Sequence, residues 1–334
     1  MTNGDYAELL ALAGDTAEGH FRRALRRAAR KALSWPMAVE QMLAEGRPLT
    51  ELEGIGPVLA RRLREWGQAS RPTEPALRAH FLSLDEARAR LRGRPDWSSQ
   101  LRGDLHCHTD WSDGTQPLEV MAEAAVLQGH EYLAITDHAG GLKIARGLDA
   151  ARLNAQWQAI DEYQPEARVR LLRSVELNLS PKGRPDLADE VLAQADILIG
   201  AFHSSLRRPE DQTERYLAAL EFGHIHVLAH PQGRIYNYRS GLRADWDIVC
   251  ERAAELGVAL EIDCYPTRQD MAAPLLASAA RAGTMISLGS DAHSARQLEF
   301  LTFGLAATLE AGIPPERILN FMSCDQLLAW VHQN

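Results

Sequence analysis

From residue 104 onward the chain repeats one pattern, a short apolar run followed by a longer stretch with helical spacing of its apolar positions. The short runs predict strands at 104–108, 132–136, 170–176, 196–202, 225–229, 258–263 and 285–290. Strands that alternate with helices imply β-α units and a parallel sheet. Seven such units suit a closed or nearly closed α/β barrel.

Ahead of residue 100 the pattern is helical throughout. Periodic stretches at Phe21–Leu33 and Met37–Ala44 precede Leu52-Glu53-Gly54-Ile55-Gly56-Pro57, which opens a helix running through Trp66. Residues 1–66 therefore read as a small all-helical domain. Prolines 72, 75 and 95 surround one further helix, Leu84–Leu91, so that 67–100 reads as a linker or packing strap. The third region, 101–334, holds the predicted barrel.

Composition narrows the class. The 334 residues are 46% hydrophobic and 24% charged, and no apolar run approaches the roughly 18 residues of a bilayer span. A soluble globular protein is expected, with no membrane partner. The arginines at 22, 23, 26, 27 and 30 stand where a secretory leader would carry its apolar segment. Cys107, Cys250, Cys264 and Cys324 form no C-x-x-C pair, which fits a reducing cytoplasm better than a disulfide framework. The net charge of −9 is uneven: residues 1–99 carry 16 Lys+Arg against 13 Asp+Glu, and the remainder 20 against 32. An acidic region that handled a phosphate ester would need cations to offset the repulsion.

The candidate chemistry falls at strand ends. In Asp104-Leu105-His106-Cys107-His108 the i, i+2 spacing aims both imidazoles at one face and Cys107 at the other. Asp113 follows in the tight turn Ser112-Asp113-Gly114. Asp137-His138, Glu176, His203, His230 and Asp291-x-His293 all lie at or just past predicted strand C-termini, the face where barrel active sites form. Mixed imidazole and carboxylate sets suit zinc, manganese or iron. Asp137 is a candidate to orient His138. A lone histidine at a strand end is ordinarily structural, and that reading holds for His20, His80, His130, His224, His226 and His332.

These residues, with Thr109, Thr136, His230-Pro231 and Ser290-Asp291-Ala292-His293, resemble the polymerase and histidinol phosphatase (PHP) family. Gly141-Leu142-x-x-Ala145-x-Gly147-Leu148, Arg152-Leu153-x-x-Gln156, His230-Pro231-x-Gly233-Arg234 and Leu260-Glu261-Ile262-Asp263 resemble the PHP domain of bacterial family X DNA polymerases over about residues 101–331. The resemblance implies a distorted seven-stranded (β/α)7 TIM-like barrel with three divalent ions of manganese, zinc or iron. It implies one ion on His106, His108, Glu176 and Asp291, a second on Glu176, His203 and His230, and a third on Asp113, His138 and His293. Lys182-Gly183-Arg184-Pro185 departs from the more acidic stretch usual after the bridging glutamate.

The implied activity is metal-dependent phosphoester hydrolysis, with Glu176, Asp291, His108 and Arg234 at the reacting centre. Arg234 is expected to grip the phosphate through its planar fork, with Lys143, Arg146 and Arg268 as further candidates. Gly54 and Gly56 resemble the hairpin of a helix-hairpin-helix motif, and Arg22, Arg23, Arg26, Arg61, Arg62 and Arg64 are candidate DNA contacts. Between Trp66 and Leu101 there is no room for a polymerase palm, so polymerase activity is not expected. The favoured function is a 3′-5′ exonuclease or 3′-phosphatase at DNA ends, in repair. Two alternatives remain: a small-molecule phosphatase acting on histidinol phosphate or a nucleotide, and a non-catalytic module in which metals only stabilise a DNA- or partner-binding protein.

Overall fold

The computed structural model describes residues 1–67, 73, 75–223 and 225–333; Pro72 and His224 lie outside them. The first region is helical as expected: α1 (Asn3–Thr16), α2 (Gly19–Ala32), α3 (Val39–Ala44) and α4 (Pro57–Trp66). The start of α1 is a capping box, in which Thr2 and Asp5 satisfy each other's backbone N–H groups. Tyr6, Leu10, Leu25, Trp35, Met42 and Leu63 are buried together in one cluster, which Phe81 and Tyr236 join from outside the region. Then come α5 (Leu84–Leu91), capped by Ser83 and Glu86, and α6 (Pro95–Ser98).

The remainder alternates. Its first half is β1 (Gly103–Cys107), α7 (Leu118–Leu127), β2 (Tyr132–Ile135), α8 (Ala150–Tyr163), β3 (Arg170–Arg173), β4 (Glu176–Asn178), α9 (Asp189–Leu192) and β5 (Ile199–Ala201). Its second half is α10 (Thr213–Glu221), β6 (Val227–Leu228), α11 (Trp246–Glu255), β7 (Ala259–Asp263), α12 (Ala273–Ala282), β8 (Ile286–Gly289), α13 (Leu301–Ala311) and α14 (Cys324–Val331). All strand pairs are parallel, and they form two sheets, β1-β2-β3 and β4-β5-β6-β7-β8. Both faces of β1, β2, β5, β6, β7 and β8 are buried, which is why these strands are apolar runs and not alternating ones.

The predicted strand 170–176 is broken. Leu171 and Leu172 pair with Leu133 and Ala134 of β2, whereas Glu176 and Leu177 pair with Ile199 and Gly200 of β5. The chain exchanges partners across Ser174–Val175, and two short strands result. Hydrogen bonds cross between the sheets on both sides. Glu176 N donates to Thr136 O at 3.2 Å and Ala139 N to Glu176 O at 3.0 Å. On the other side Asp291 N donates to His106 O at 2.9 Å and His108 N to Ala292 O at 2.7 Å. The Asn320 side chain clasps the same seam from below, bonded to Leu288 N at 2.7 Å and Gly103 O at 2.9 Å.

Residues 78–97 fasten the helical region to the strands. The buried Arg78 guanidinium donates to both oxygens of Glu8 on α1, at 2.7 and 2.8 Å, and to Asn237 Oδ1 at 2.9 Å. Phe81 meets Tyr236 edge to face at 5.2 Å, Gln269 bonds both N and O of Leu82, and Trp97 Nε1 donates to Leu305 O. No helix among the described residues is long and apolar enough to cross a membrane.

Candidate metal centre

Apart from Glu176, the first residue of β4, every side chain at the centre leaves the C-terminal end of a strand or the loop just past it. His106 and His108 project from β1 to one side, while the Cys107 thiol donates to Ala134 O and packs into the apolar core. Asp113 is delivered by a turn so tight that a Cβ on Gly114 would overlap the backbone of Thr109. His138 follows β2, Glu176 opens β4, His203 and His230 follow β5 and β6, and Asp291 and His293 follow β8. His230 and Asp291 have φ of 29° and 50°, a left-handed conformation that non-glycine residues adopt at a cost and that gathers at functional sites.

Glu176 lies in the middle. Its Oε1 is 2.8 Å from His230 Nε2 and 3.0 Å from His203 Nε2. Its Oε2 is 2.7 Å from His138 Nδ1, 3.5 Å from His106 Nε2 and 3.8 Å from His108 Nε2. Asp291 Oδ1 stands 3.0 Å from His108 Nε2, and Asp113 Oδ1 is 3.4 Å from His293 Nε2 and 3.6 Å from His138 Nε2. Three sets bring one donor atom per residue within 4.8 Å of one another: His108, Asp113, His138 and His293; His106, His108 and Glu176; and His138, Glu176 and His203.

The imidazoles are aimed by their outer nitrogens. His106 Nδ1 donates to Glu261 Oε1 at 2.7 Å, His203 Nδ1 to Asn178 Oδ1 at 2.7 Å, and His293 Nδ1 to the Asp291 carbonyl at 2.8 Å. In each ring Nε2 is thereby left to face inward, the arrangement by which outer partners orient metal-binding histidines. Asn178 is itself held by Asp186, at 2.6 Å. Glu261 also accepts from His230 N at 2.9 Å, so one carboxylate braces two histidines. Gly289 is required beside it, because a Cβ there would overlap both Glu261 and His106.

Charge in the cluster is polarised. Burial opposes it, yet His138, His203 and His106 hold the Glu176 carboxyl well below its usual range, and Arg268 and His108 do the same for Asp291. Burial raises Asp113 too, yet His293, His108 and His138 together hold it down to about 2. Burial, with His293 and His138, drives His108 down to about 3, while Asp113 and Asp291 lift His293 to about 9 in spite of burial. The buried His106 Nε2, His108 Nδ1, His138 Nδ1 and Glu176 Oε2 have no hydrogen-bond partner, although the last two atoms are only 2.7 Å apart. Unpaired buried groups cost about 1–3 kcal/mol each. The approach of His106 Nε2 and His138 Nδ1 to Glu176 Oε2, at 3.5 and 2.7 Å, fits divalent cations, which would satisfy these atoms together.

Several expected residues lie elsewhere. Arg234 turns away from the cluster: its guanidinium donates to Ala79 O at 2.8 Å and stacks on Phe81 at 3.8 Å, because that buried pocket offers carbonyls and a ring. Arg268 comes to the cluster instead, 3.1 Å from Asp291 Oδ2 and 3.4 Å from Asp263 Oδ2, with a third of its side chain exposed. Lys143 and Arg146 are exposed in the loop after β2. Asp137 does not touch His138; its oxygens accept from Thr109 N at 2.9 Å, Ser112 N at 3.1 Å and Gln156 Nε2 at 2.5 Å, which fixes the loop carrying Asp113. Sequence reasoning assigned no site role to Glu261, Asp263 and Asn178; the carboxylates two apart within the apolar β7 are the signal that could have found the first two.

In the helical region Gly54 has φ 83° and packs toward Ala28, while Gly56 caps α4 and is open. Arg22 Nε donates to Ala17 O, Arg23 contacts His20, Arg26 pairs with Asp15 at 3.5 Å and Arg61 with Glu65 at 3.9 Å. Arg62 lies 5.0 Å over the Phe21 ring, and Arg64 is exposed.

The sequence profile of the PHP domain matches residues 104–263. The DNA polymerase/3′-5′ exonuclease PolX of Bacillus subtilis is 37% identical over 237 residues, which cover 70% of this chain but 42% of that protein, so the chain spans less than half of this relative. A probable phosphatase of Edwardsiella ictaluri is 32% identical over 231 residues, covering 65% of this chain and 89% of its own length. The histidinol phosphate phosphatase of Lactococcus lactis, solved with zinc, L-histidinol and phosphate, aligns with 64% of this chain and 94% of its own at 18% identity and a TM-score of 0.45. With its histidines and carboxylates gathered at the strand ends inside the matched region and beyond it, the chain belongs to the PHP family of phosphoesterases.

Proposed function

We propose that the chain hydrolyses phosphoester bonds at the ends of DNA, as a 3′-5′ exonuclease or 3′-phosphatase, with three divalent ions in the cluster around Glu176. The observation that carries this reading is the convergence of the buried, unpartnered His106 Nε2 and His138 Nδ1 on the equally unpartnered Glu176 Oε2, at 3.5 and 2.7 Å. His106, His108, Glu176 and Asp291 would hold one ion, Glu176, His203 and His230 a second, and Asp113, His138 and His293 the third. Such ions supply Lewis acidity, lowering the pKa of a coordinated water and neutralising phosphate charge. The protein's own part is to position them. Glu261 and Asn178 fix ring orientation, Asp137 holds the 109–112 loop, and the part-exposed Arg268, beside Asp291 at 3.1 Å, would donate to phosphate oxygens.

The hydrogen bonds across both sheet seams support a single closed barrel of seven strands, with β3 and β4 counted as one broken strand. The buried cluster of the helices, joined by Phe81 and Tyr236, and the larger one of the strands support a helical domain at 1–66, a strap at 67–100 and the phosphoesterase domain at 101–334. Four buried free thiols suit a reducing compartment such as the cytoplasm.

A small-ester phosphatase is the second reading. It is favoured by a pocket of about 470 Å³ beside His203, lined by Asn178, Arg184 and Asp186, large enough for a compact monoester. Turnover of a short single-stranded DNA and of histidinol phosphate, each with and without manganese, separates the two. Manganese-dependent release of nucleotide or phosphate from DNA, abolished in Asp291→Ala/His108→Ala, is expected. Hydrolysis that survives in that variant would refute the site, and turnover of histidinol phosphate alone would leave the second reading.

A further inference from the structure

Between the helical region and the loops after β7 and β8 lies a cleft of about 560 Å³. One wall is α2, which presents Arg27, Arg30 and Lys31 at i, i+3 and i+4, hence on one face. The other wall carries Tyr265, Ser294 and Arg296. This wall adjoins the metal centre along the chain: Ser294 follows His293, and Tyr265 sits three residues before Arg268 and takes a backbone bond to Asp263 Oδ1 at 2.7 Å.

The cleft is positive in net. Its two carboxylates are engaged, Glu53 with Lys31 at 2.7 Å and Glu299 with Arg88 at 3.1 Å. Among the described residues Arg27 and Arg296 are exposed and have no ion-pair partner, and Arg30 contacts only the Arg26 carbonyl, at 3.4 Å. This distribution is unlike that of Arg22, Arg23, Arg26 and Arg61, whose guanidinium groups already have partners. The Tyr265 ring is propped edge to face on Phe300 at 5.4 Å, and its hydroxyl accepts from Gln297 at 3.4 Å. Cations on two walls with an immobilised aromatic ring between them form the combination that holds a single nucleic-acid strand, phosphates on the walls and a base on the ring.

We infer that this cleft is the track for the single strand whose end reaches the metal centre, with Arg27, Arg30 and Arg296 on its phosphates and Tyr265 under a base. The inference rests on the phosphoesterase reading for its direction, since it treats the cleft as the approach to the cluster. It also shifts the nucleic-acid contact from the Gly54–Gly56 hairpin into the neighbouring cleft, which Glu53 and Lys31 line beside that hairpin.

Fluorescence anisotropy of a labelled oligo-dT strand with phosphorothioate linkages, which resist cleavage, tests it on the full chain with manganese present. Arg27→Ala/Arg30→Ala/Arg296→Ala is expected to bind at least about 10-fold more weakly, and the slope of log affinity against log salt should fall by about 2, as three lost phosphate contacts require. Tyr265→Leu should weaken binding without changing that slope. The charge-preserving Arg27→Lys/Arg30→Lys should retain the wild-type slope, and Arg168→Ala/Arg170→Ala, at the far end of β3, the wild-type affinity. A triple variant that binds like wild type, or a loss shared equally by Arg168→Ala/Arg170→Ala, overturns the track. Turnover of a small chromogenic phosphodiester by the wild-type chain is read separately: its absence counts against the phosphoesterase reading, while the binding data still decide the cleft.

Discussion

The carboxylate of Glu261 accepts the Nδ1 proton of His106 at 2.7 Å in a place where neither residue touches solvent. Its second oxygen takes the backbone N–H of His230 at 2.9 Å, so a single side chain of β7 sets the aim of histidines from β1 and β6. Removing an outer partner of this kind lowers metal affinity about 10–100-fold. Glu261→Gln keeps the volume and can keep one of the two bonds. Metal titration of the chelator-stripped variant should show that loss for the ion held by His106, with a far-UV spectrum like wild type. Unchanged affinity would mean that packing alone holds the ring.

Stripping the metals should destabilise the fold as well as silence it. Glu176, Asp291 and Asp113 are ionised and packed among imidazoles, and several donor atoms there lack any protein partner. Ions that bind only the folded chain contribute about 2.7 kcal/mol each at a hundredfold excess over their Kd. Thermal melts with manganese and with chelator should therefore differ by several degrees, and the difference should shrink in Glu176→Ala. Coincident melts of the wild-type chain would deny the cluster its cations.

Arg78 is the strongest single link between the helical region and the strands. Its side chain is 4% exposed and that of Glu8 is 2%, so truncating one leaves the other charged and buried. Breaking such a pair costs about 3–5 kcal/mol. Arg78→Ala should lower the urea midpoint by a corresponding amount, whereas Arg78→Met/Glu8→Leu, which removes both charges, should recover most of it. Equal losses in the two variants would show that the arginine contributes through Asn237 and through Asp15, to which it donates at 3.1 Å, and not through Glu8.

The parts of this architecture that depend on near neighbours in the chain were readable beforehand. Leu84–Leu91 starts where Ser83 and Glu86 cap it, and His106 and His108 share a face because strand side chains alternate. What could not be read depends on partners far away. The break between β3 and β4 arises because Arg170–Arg173 match β2 while Glu176–Asn178 match β5, and nothing local in Ser174-Val175 declares the exchange. Arg234 follows the His-Pro motif, whose pattern points it at the phosphate. Its direction was decided by Phe81 and two carbonyls more than 150 positions earlier. Arg268 had no motif at all, yet the turn after β7 lays it against Asp291. Asp137 and His138 are adjacent in sequence and serve different networks, since consecutive side chains leaving a strand diverge.

His226 illustrates the histidines that take no part in the cluster, and it sets a pH dependence. Leu198 N donates to its Nδ1 at 2.9 Å, which requires that nitrogen to be unprotonated. Burial, helped by the nearby His332, moves the ring from 6.5 down to about 4. The folded chain thus binds fewer protons here than the unfolded chain between those two values. The stabilising contribution is complete above pH 6.5 and is lost as the pH falls toward 4. The span corresponds to about 3 kcal/mol. His130, also lowered to about 4 by burial, adds a parallel loss, so the measurement must be a difference between proteins. In His226→Gln the amide oxygen can still accept from Leu198 N but cannot titrate. Urea midpoints taken from neutral pH down to 4 should show the wild type losing ground to the variant by roughly that 3 kcal/mol. Parallel curves would mean that His226 protonates freely in the folded chain and that its bond to Leu198 is dispensable.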